Sequence, residues 1–167
     1  MKMSKFHELC GAYQKAQQDF QDYQNDCHQF ALDFVKQFKE HFEIPPSQFS
    51  LFKINANNEF TLVQPSVINA LVLRDDSLWQ FGVGMTVCSA PETLPQELIL
   101  IPILLRRDMD GTHYIKYGDM REFKIEKKDQ YNFDEFFEFL FETIKDTYNQ
   151  QLVQFIGHDT ERKIGYN

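Results

Sequence analysis

The chain has 167 residues and a formal net charge of −8, with 43% hydrophobic and 25% charged residues. This balance argues against intrinsic disorder and predicts a single folded domain over 1–167. The excess of acid argues against generic binding to nucleic acid or to an anionic membrane, because both need a basic surface.

The first residues and the cysteines predict a cytoplasmic protein. Residues 1–10 carry charge but no apolar core, so they do not look like a signal peptide. The longest apolar run, 98–105, has eight residues, whereas a membrane helix needs about 20. Cys10, Cys27 and Cys88 lack the spacing of a disulfide framework, so we expect reduced thiols. A cytoplasmic location follows, with no membrane association and no nucleic-acid partner.

Residues 4–43 have the pattern of one long amphipathic helix. Apolar residues recur at alternating spacings of three and four, which is a heptad pattern, and polar residues fill the positions between them. The apolar positions are Phe6, Leu9, Tyr13, Ala16, Phe20, Tyr23, Cys27, Phe30 and Phe34. Phe38 and Phe42 follow at steps of four, and Pro45-Pro46 ends the predicted helix.

Two arrangements of this helix are open. Its apolar side consists mainly of Phe and Tyr rings, which suit a broad surface such as a sheet. A sustained heptad period is also typical of helices that wrap around another helix, which would make the protein a homodimer through the N-terminal helix. The arrangements are compatible, because a helix of about forty residues is roughly 60 Å long and exceeds the width of such a domain.

Residues 47–127 predict an antiparallel sheet, and the whole chain an α+β fold. Short runs of β-branched and aromatic residues alternate with turn-forming residues, so consecutive strands should pair as a meander of six or seven strands. The predicted strands are 49–54, 59–63, 67–73, 78–88, 97–105, 112–117 and 121–125.

Residues 132–156 predict a C-terminal amphipathic helix with Asn132 as its N-cap, Gly157 as its stop and a mobile tail at 158–167. The apolar face of this helix comprises Phe133, Phe136, Phe137, Leu140, Phe141, Ile144, Tyr148, Leu152 and Phe155. Residues 129–167 hold three basic and eight acidic residues, so most of the excess acid belongs to this segment.

One side of the C-terminal helix is a candidate partner surface. Glu135, Glu138 and Glu142 share the face opposite the apolar one, and Phe139 lies outside the apolar arc. This acidic surface would meet a basic partner. The alternative is a solvated helix face with an exposed Phe that has no role.

Two further sets are candidate ligand contacts. Gly82 and Gly84 leave one face of strand 78–88 nearly bare, which makes room for a ligand, a packed helix or a bulge. Arg74, Arg106 and His113 could grip a phosphate or carboxylate. The alternative pairs each arginine with the acids of its own turn and leaves His113 as a satisfied, half-buried residue.

No motif of nucleotide, nucleophile-elbow or metalloprotease type occurs, and we predict no catalytic residue, no cofactor and no metal. The favoured function is therefore a non-catalytic cytosolic protein-binding module: an accessory factor, a partner-specific chaperone or an immunity-type inhibitor acting through its acidic surface. The alternative is a carrier of a small apolar ligand in a cavity between sheet and C-terminal helix. An enzyme with a dispersed site near Arg74, Arg106 and His113 ranks third.

Overall fold

The computed structural model describes residues 3–89, 96–151, 153 and 156, and it confirms the α+β class. The helices are α1 (Lys5–Phe42) and α2 (Asp134–Asn149). The strands are β1 (Phe49–Ile54), β2 (Phe60–Val63), β3 (Val72–Leu73), β4 (Trp79–Cys88), β5 (Gln96–Arg107), β6 (His113–Tyr117), β7 (Glu122–Lys127) and β8 (Tyr131–Asn132). The chain forms two compact units, Met1–Asn132 and Phe133–Asn167, so α1 and the sheet belong to the first and α2 to the second.

Both ends of α1 are capped, which explains its sharp boundaries. The Ser4 side chain accepts a hydrogen bond from the backbone N–H of His7 at 3.2 Å. At the other end Glu43 is left-handed, with φ of 50°, and the Ile44 N–H donates to the Lys39 carbonyl at 3.2 Å. The helix therefore ends just before the two prolines, as the sequence predicts.

The sheet is antiparallel at each pairing of the described strands, but it is a meander only from β4 onward. Its order is β2-β1-β4-β5-β6-β7-β8, and β3 also pairs with β4. Leu73 pairs with Trp79 and Leu51 with Val83, so β3 and β1 follow one another along the same edge of β4. The meander prediction was wrong for the first strands, since it makes β2 and β3 neighbours. Because β3 has only two residues, it leaves most of this edge of β4 open, and β1 pairs there.

The β-branched run at 67–73 does not form the single strand that the sequence predicts. Val67–Asn69 is a turn of 3₁₀ helix, and only Val72–Leu73 pairs as a strand. The Ser66 hydroxyl accepts a hydrogen bond from the Ile68 N–H at 3.2 Å and starts the turn. A local side-chain acceptor thus outweighs the β propensity of the run.

The core of the first unit lies between the second half of α1 and one face of the sheet. Ring centroids of Phe34 and Phe81 are 5.8 Å apart, and those of Phe38 and Phe49 are 6.2 Å apart. Beneath them the register aligns a row of buried side chains across four strands: Trp79, Leu105, Ile115 and Phe123. This packing confirms that part of α1 lies over its own sheet.

In the second unit, the N-cap of α2 lies one residue later than predicted, and the helix begins at Asp134. Asn132 belongs to β8 and pairs with Glu126 of β7, so Phe133 takes the N-cap position. A phenyl ring cannot accept the hydrogen bond that an N-cap side chain normally takes, and Asp134 and Glu135 provide the favourable first-turn charge instead. The predicted stop at Gly157 and the tail 158–167 lie outside the described residues.

Candidate functional site

The first half of α1 has an aromatic face that the described residues leave exposed. Every residue from 5 to 22 is exposed, over roughly 27 Å of helix at 1.5 Å per residue. We call the apolar residues of this half the aromatic stripe: Phe6, Leu9, Tyr13, Ala16 and Phe20. Exposure is 71% for Phe6, 69% for Leu9, 65% for Tyr13 and 54% for Phe20. The heptad pattern thus continues far beyond the sheet that uses it.

Local side-chain hydrogen bonds within α1 help to keep the exposed half helical, and they do not require the rings of the stripe to be buried. The Gln17 side-chain amide donates to the Tyr13 hydroxyl at 2.8 Å, and the Gln18 amide donates to an Asp22 carboxylate oxygen at 2.9 Å. Both pairs are four residues apart, which is the spacing that supports isolated helices. The buried half also supplies the costly helix nucleus, so the exposed half only extends it.

A charged cluster marks the point at which α1 meets the sheet. Asp26 Oδ2 lies 3.0 Å from His113 Nε2 and 3.4 Å from Arg107 Nε. The His113 ring stacks on Phe30 with centroids 4.4 Å apart and is buried. Burial lowers the pKa of His113, while the Asp26 carboxylate opposes that shift. His113 is therefore a neutral, packed side chain at neutral pH, which favours the structural interpretation of this residue.

The structure brings Arg74 and Arg106 to the same end of the sheet. The backbone N–H of Arg74 donates to the backbone carbonyl of Leu78 at 2.8 Å, just before β4 begins. Arg106 follows Leu105 in β5, and Leu105 pairs with Trp79, the first residue of β4. Only the start of β4 therefore separates the two arginines. His113 pairs with Arg107, the residue after Arg106, so it projects to the opposite face of the sheet.

Both arginines are engaged by neighbouring acids. Arg74 Nη2 lies 2.8 Å from Asp76 Oδ2. Arg106 donates from Nε and Nη2 to the two oxygens of Glu122, each at 2.8 Å, and from Nη1 to Asp108. These contacts raise the pKa of Arg106, with the Glu122 hydrogen bonds the largest cause. A guanidinium group that already donates two hydrogen bonds to a carboxylate has little capacity to bind another anion.

The space beside the two strand glycines is filled by aromatic rings. A Cβ atom at Gly82 would lie 2.7 Å from Phe60 Cε2, and one at Gly84 would lie 2.5 Å from Phe52 Cε2. Phe52 and Phe60 belong to β1 and β2, so the glycines admit side chains of their own sheet. The bare face of β4 is therefore not room for a ligand.

Cys88 and His113 do not form a nucleophilic pair. Cys88 is opposite Gln96 at one end of β5, and His113 is opposite Arg107 at the other end, roughly 35 Å away along an extended strand. Burial raises the pKa of the Cys27 thiol to about 11, which keeps it protonated and inert. Among the described residues no group of three or more His, Cys, Asp or Glu side chains could hold a metal ion.

Described residues of the first unit line at least two clefts. One, of about 500 Å³, runs between α1 and strands β1 and β2, and its lining includes Val35, Leu51, Lys36 and Lys39. The other, of about 360 Å³, lies beside His113 and is lined by groups of both charges. The first cleft supports a carrier, but two lysines form part of its wall.

The acidic face of α2 is exposed, but its aromatic residues differ from the prediction. Glu135, Glu138 and Glu142 are exposed, as expected for either interpretation of that surface. Phe139 is half-buried, whereas Phe141, which the sequence places on the apolar face, is 43% exposed. The Lys145 ammonium lies 5.5 Å from the Phe141 ring centroid and covers part of it. Phe141, and not Phe139, is thus the more exposed ring of this helix.

Within the residues that the structure places, no helix combines the length and apolar character that crossing a membrane requires. Searches against protein-family models, curated proteins and solved structures find no match to this chain.

Proposed function

We propose that the protein is a non-catalytic protein-binding module, of the type of an accessory factor, a partner-specific chaperone or an immunity-type inhibitor. The observation that carries the proposal is the aromatic stripe. Four large side chains are more than half exposed along one line of a helix that is already stable through other contacts. The described part of the chain thus leaves these side chains more than half exposed.

The residue types of the stripe favour a protein partner over a small molecule. Aromatic side chains dominate the energetics of protein interfaces, and each buried one contributes about 1.5–3 kcal/mol by transfer from water. The spacing of Phe6, Leu9, Tyr13 and Phe20 is that of the anchors by which an amphipathic helix binds a groove or another helix. A contiguous line of exposed rings is also uncommon on monomeric proteins.

The acidic face of α2 forms the second part of the proposal. Glu135, Glu138 and Glu142 are exposed in a chain with a net charge of −8. Their field would accelerate encounter with a basic partner without contributing much to the lifetime of the complex. Replacing all three by Gln should therefore lower the association rate at low salt and leave the dissociation rate unchanged.

The competing functions have less support. A carrier would need an apolar cavity, but the glycine face holds Phe52 and Phe60, and the cleft beside α1 is partly walled by lysines. A dispersed active site would need Arg106 and His113 on one face, and the register separates them. We therefore keep both as alternatives only.

Site-specific photo-crosslinking tests the stripe as a binding surface. A photoreactive amino acid at Phe20 should capture a partner in the cells that make the protein, whereas one at Gln21, on the polar side, should not. The captured chain is then purified and titrated by calorimetry against wild type, a Phe6→Ser/Phe20→Ser variant and a Gln14→Ser/Gln21→Ser control.

We expect the stripe variant to bind at least 100-fold more weakly, because it loses two aromatic anchors. The control should bind as wild type does, and both variants should keep the wild-type melting temperature in dilute solution. Equal binding by the stripe variant and wild type would remove the stripe from the function.

A further inference from the structure

We propose that the aromatic stripe binds a second copy of itself in an antiparallel orientation, so that two exposed half-helices form the seam of a homodimer. The inference rests on the proposed function, since it names the occupant of that binding surface. Four independent features of the exposed half of α1 support it: the length, the order of side-chain sizes, the order of charges and the area.

The length of the exposed half fixes the register. In an antiparallel pair, apolar layers form when Phe6 faces Tyr23, Leu9 faces Phe20 and Tyr13 faces Ala16 of the second copy. Sliding one heptad deeper would place Phe6 against Phe30, which is fully buried beneath α1. Sliding one heptad outward would leave Phe20 uncovered. Only one heptad-matched register therefore covers the whole stripe.

Side-chain sizes match in this orientation and not in the parallel one. Each Tyr13 lies against the small Ala16 of the second copy, on both sides of the two-fold axis. A parallel pair would instead place Tyr13 against Tyr13 and Ala16 against Ala16, which makes one crowded layer and one empty layer. Complementary sizes give close packing, whereas a cavity or a clash weakens it.

Charges are also ordered for antiparallel pairing. Between residues 5 and 15 the chain has two lysines and one acid, and between 16 and 26 it has three aspartates and no basic residue. Antiparallel helices place the lysine end of one copy beside the aspartate end of the other, with Lys5 nearest Asp26. Parallel helices place aspartates beside aspartates, and the two helix dipoles then also repel.

The surface area that the two stripes would bury is typical of a reversible dimer. Four large side chains from each copy, with on the order of 100 Å² still exposed on each, remove about 800 Å² of apolar surface. With the flanking polar stems, the total reaches the lower end of stable interfaces, about 1,200 Å². Sedimentation velocity over a concentration series should therefore show a monomer converting to a dimer. Phe20→Gln should shift that conversion to at least tenfold higher concentration.

Native Cys10, which is exposed, provides a test of orientation. In the antiparallel register Cys10 of one copy faces Gln17 of the other along the edge of the seam, whereas in a parallel pair it faces Lys5. Within one chain, residues 10 and 17 are roughly 10 Å apart along the helix, too far for a disulfide. A Gln17→Cys variant should thus form a covalent dimer under mild oxidation at least tenfold faster than wild type or Lys5→Cys.

The controls separate the possible outcomes. Cys10→Ser in the Gln17→Cys background should return the rate to the wild-type level. Faster crosslinking of Lys5→Cys than of Gln17→Cys would overturn the antiparallel orientation. A wild-type chain that stays monomeric at all concentrations, with no crosslinking above background, would overturn the second copy as occupant. The proposed function would still stand in that case if the stripe variant lost a different captured partner, and would fail with it if no partner depended on the stripe.

Discussion

The two halves of α1 carry the same pattern and meet different surroundings. Both place apolar, mainly aromatic residues three or four positions apart, and α1 is helical without interruption from Lys5 to Phe42. In the second half Phe30, Phe34 and Phe38 are fully buried against the sheet, whereas Phe6 and Phe20 in the first half are mostly exposed. Periodicity therefore identifies the face that a helix will bury, while the length of the neighbouring sheet decides how much of it is buried within one chain.

The largest expected effect is on the free energy of unfolding when one phenylalanine in each half of α1 is replaced by alanine. Phe34→Ala should lower the free energy of unfolding by about 3–5 kcal/mol, because it removes a ring that packs on Phe81 and leaves a cavity. Phe20→Ala should change it by less than about 0.5 kcal/mol, since the ring is exposed in the monomer. Urea titration followed by circular dichroism, in dilute solution, measures both. A loss above about 2 kcal/mol for Phe20→Ala would show that the first half contributes to the core.

This difference also explains how far the sequence was predictive. The helix, its proline stop and the apolar positions from Phe6 to Phe34 follow from local spacing and backbone chemistry. The boundary between exposed and buried halves does not, because the spacing is unchanged across it. The boundary depends on which strands lie beneath α1, and that depends on pairing between residues distant in sequence, such as Leu51 with Val83.

The candidate site residues were predicted with uneven success for the same reason. The pairing of Arg74 with Asp76 and of Arg106 with Asp108 follows from turn composition and is the alternative that the sequence predicts. The bidentate contact of Arg106 with Glu122 joins different strands and had no local signal. The packing of Phe52 and Phe60 against the two glycines of β4 could not be predicted either, because it depends on the strand order β2-β1-β4.

A second pair of variants tests the same comparison by adding volume. Ala31 is fully buried in the second half, and Ala16 is exposed in the first. Ala31→Leu should cost about 1–3 kcal/mol of unfolding free energy, because a packed core has no space for the added carbons. Ala16→Leu should be neutral in the monomer, within about 0.5 kcal/mol. Similar costs for the two variants in thermal unfolding would contradict the assignment of Ala16 to a surface without core.

The junction between the halves should make stability depend on pH. Burial lowers the pKa of His113 below 6.5 despite the opposing Asp26 carboxylate, and Arg107 and Lys127 lower it further. Below pH 6.5 the unfolded chain therefore binds a proton that the folded chain does not, so the free energy of unfolding falls as the pH falls. The slope from one such group is at most about 1.4 kcal/mol per pH unit.

Urea titrations between pH 5 and 7.5 measure this slope. His113→Gln should make it shallower, and adding His28→Gln should reduce it again, because burial also lowers the pKa of His28. At pH 7.5 the contribution of the neutral His113 is fully present, so the variants should be compared with wild type there first. A slope that is the same in wild type and both variants would show that neither histidine carries the dependence.

The smallest expected effect is that of Gly11→Ala, which tests whether the two halves of α1 unfold together. Gly11 lies in the exposed half, away from the stripe, and a Cβ atom there would meet nothing within 4 Å. Gly11→Ala should stabilise the helix locally by roughly 0.5–1 kcal/mol through its higher helix propensity. The gain should appear as slower amide hydrogen exchange for residues 5–22, with the urea midpoint of the core unchanged, because the exposed half can open while the sheet and second half stay folded. If Gly11→Ala instead raised the global free energy of unfolding by the same amount, the two halves would form one cooperative unit, and the exposed stripe would be part of the stability of the monomer. A matched Ala31→Gly change in the buried half should move the urea midpoint, since that half melts only with the core.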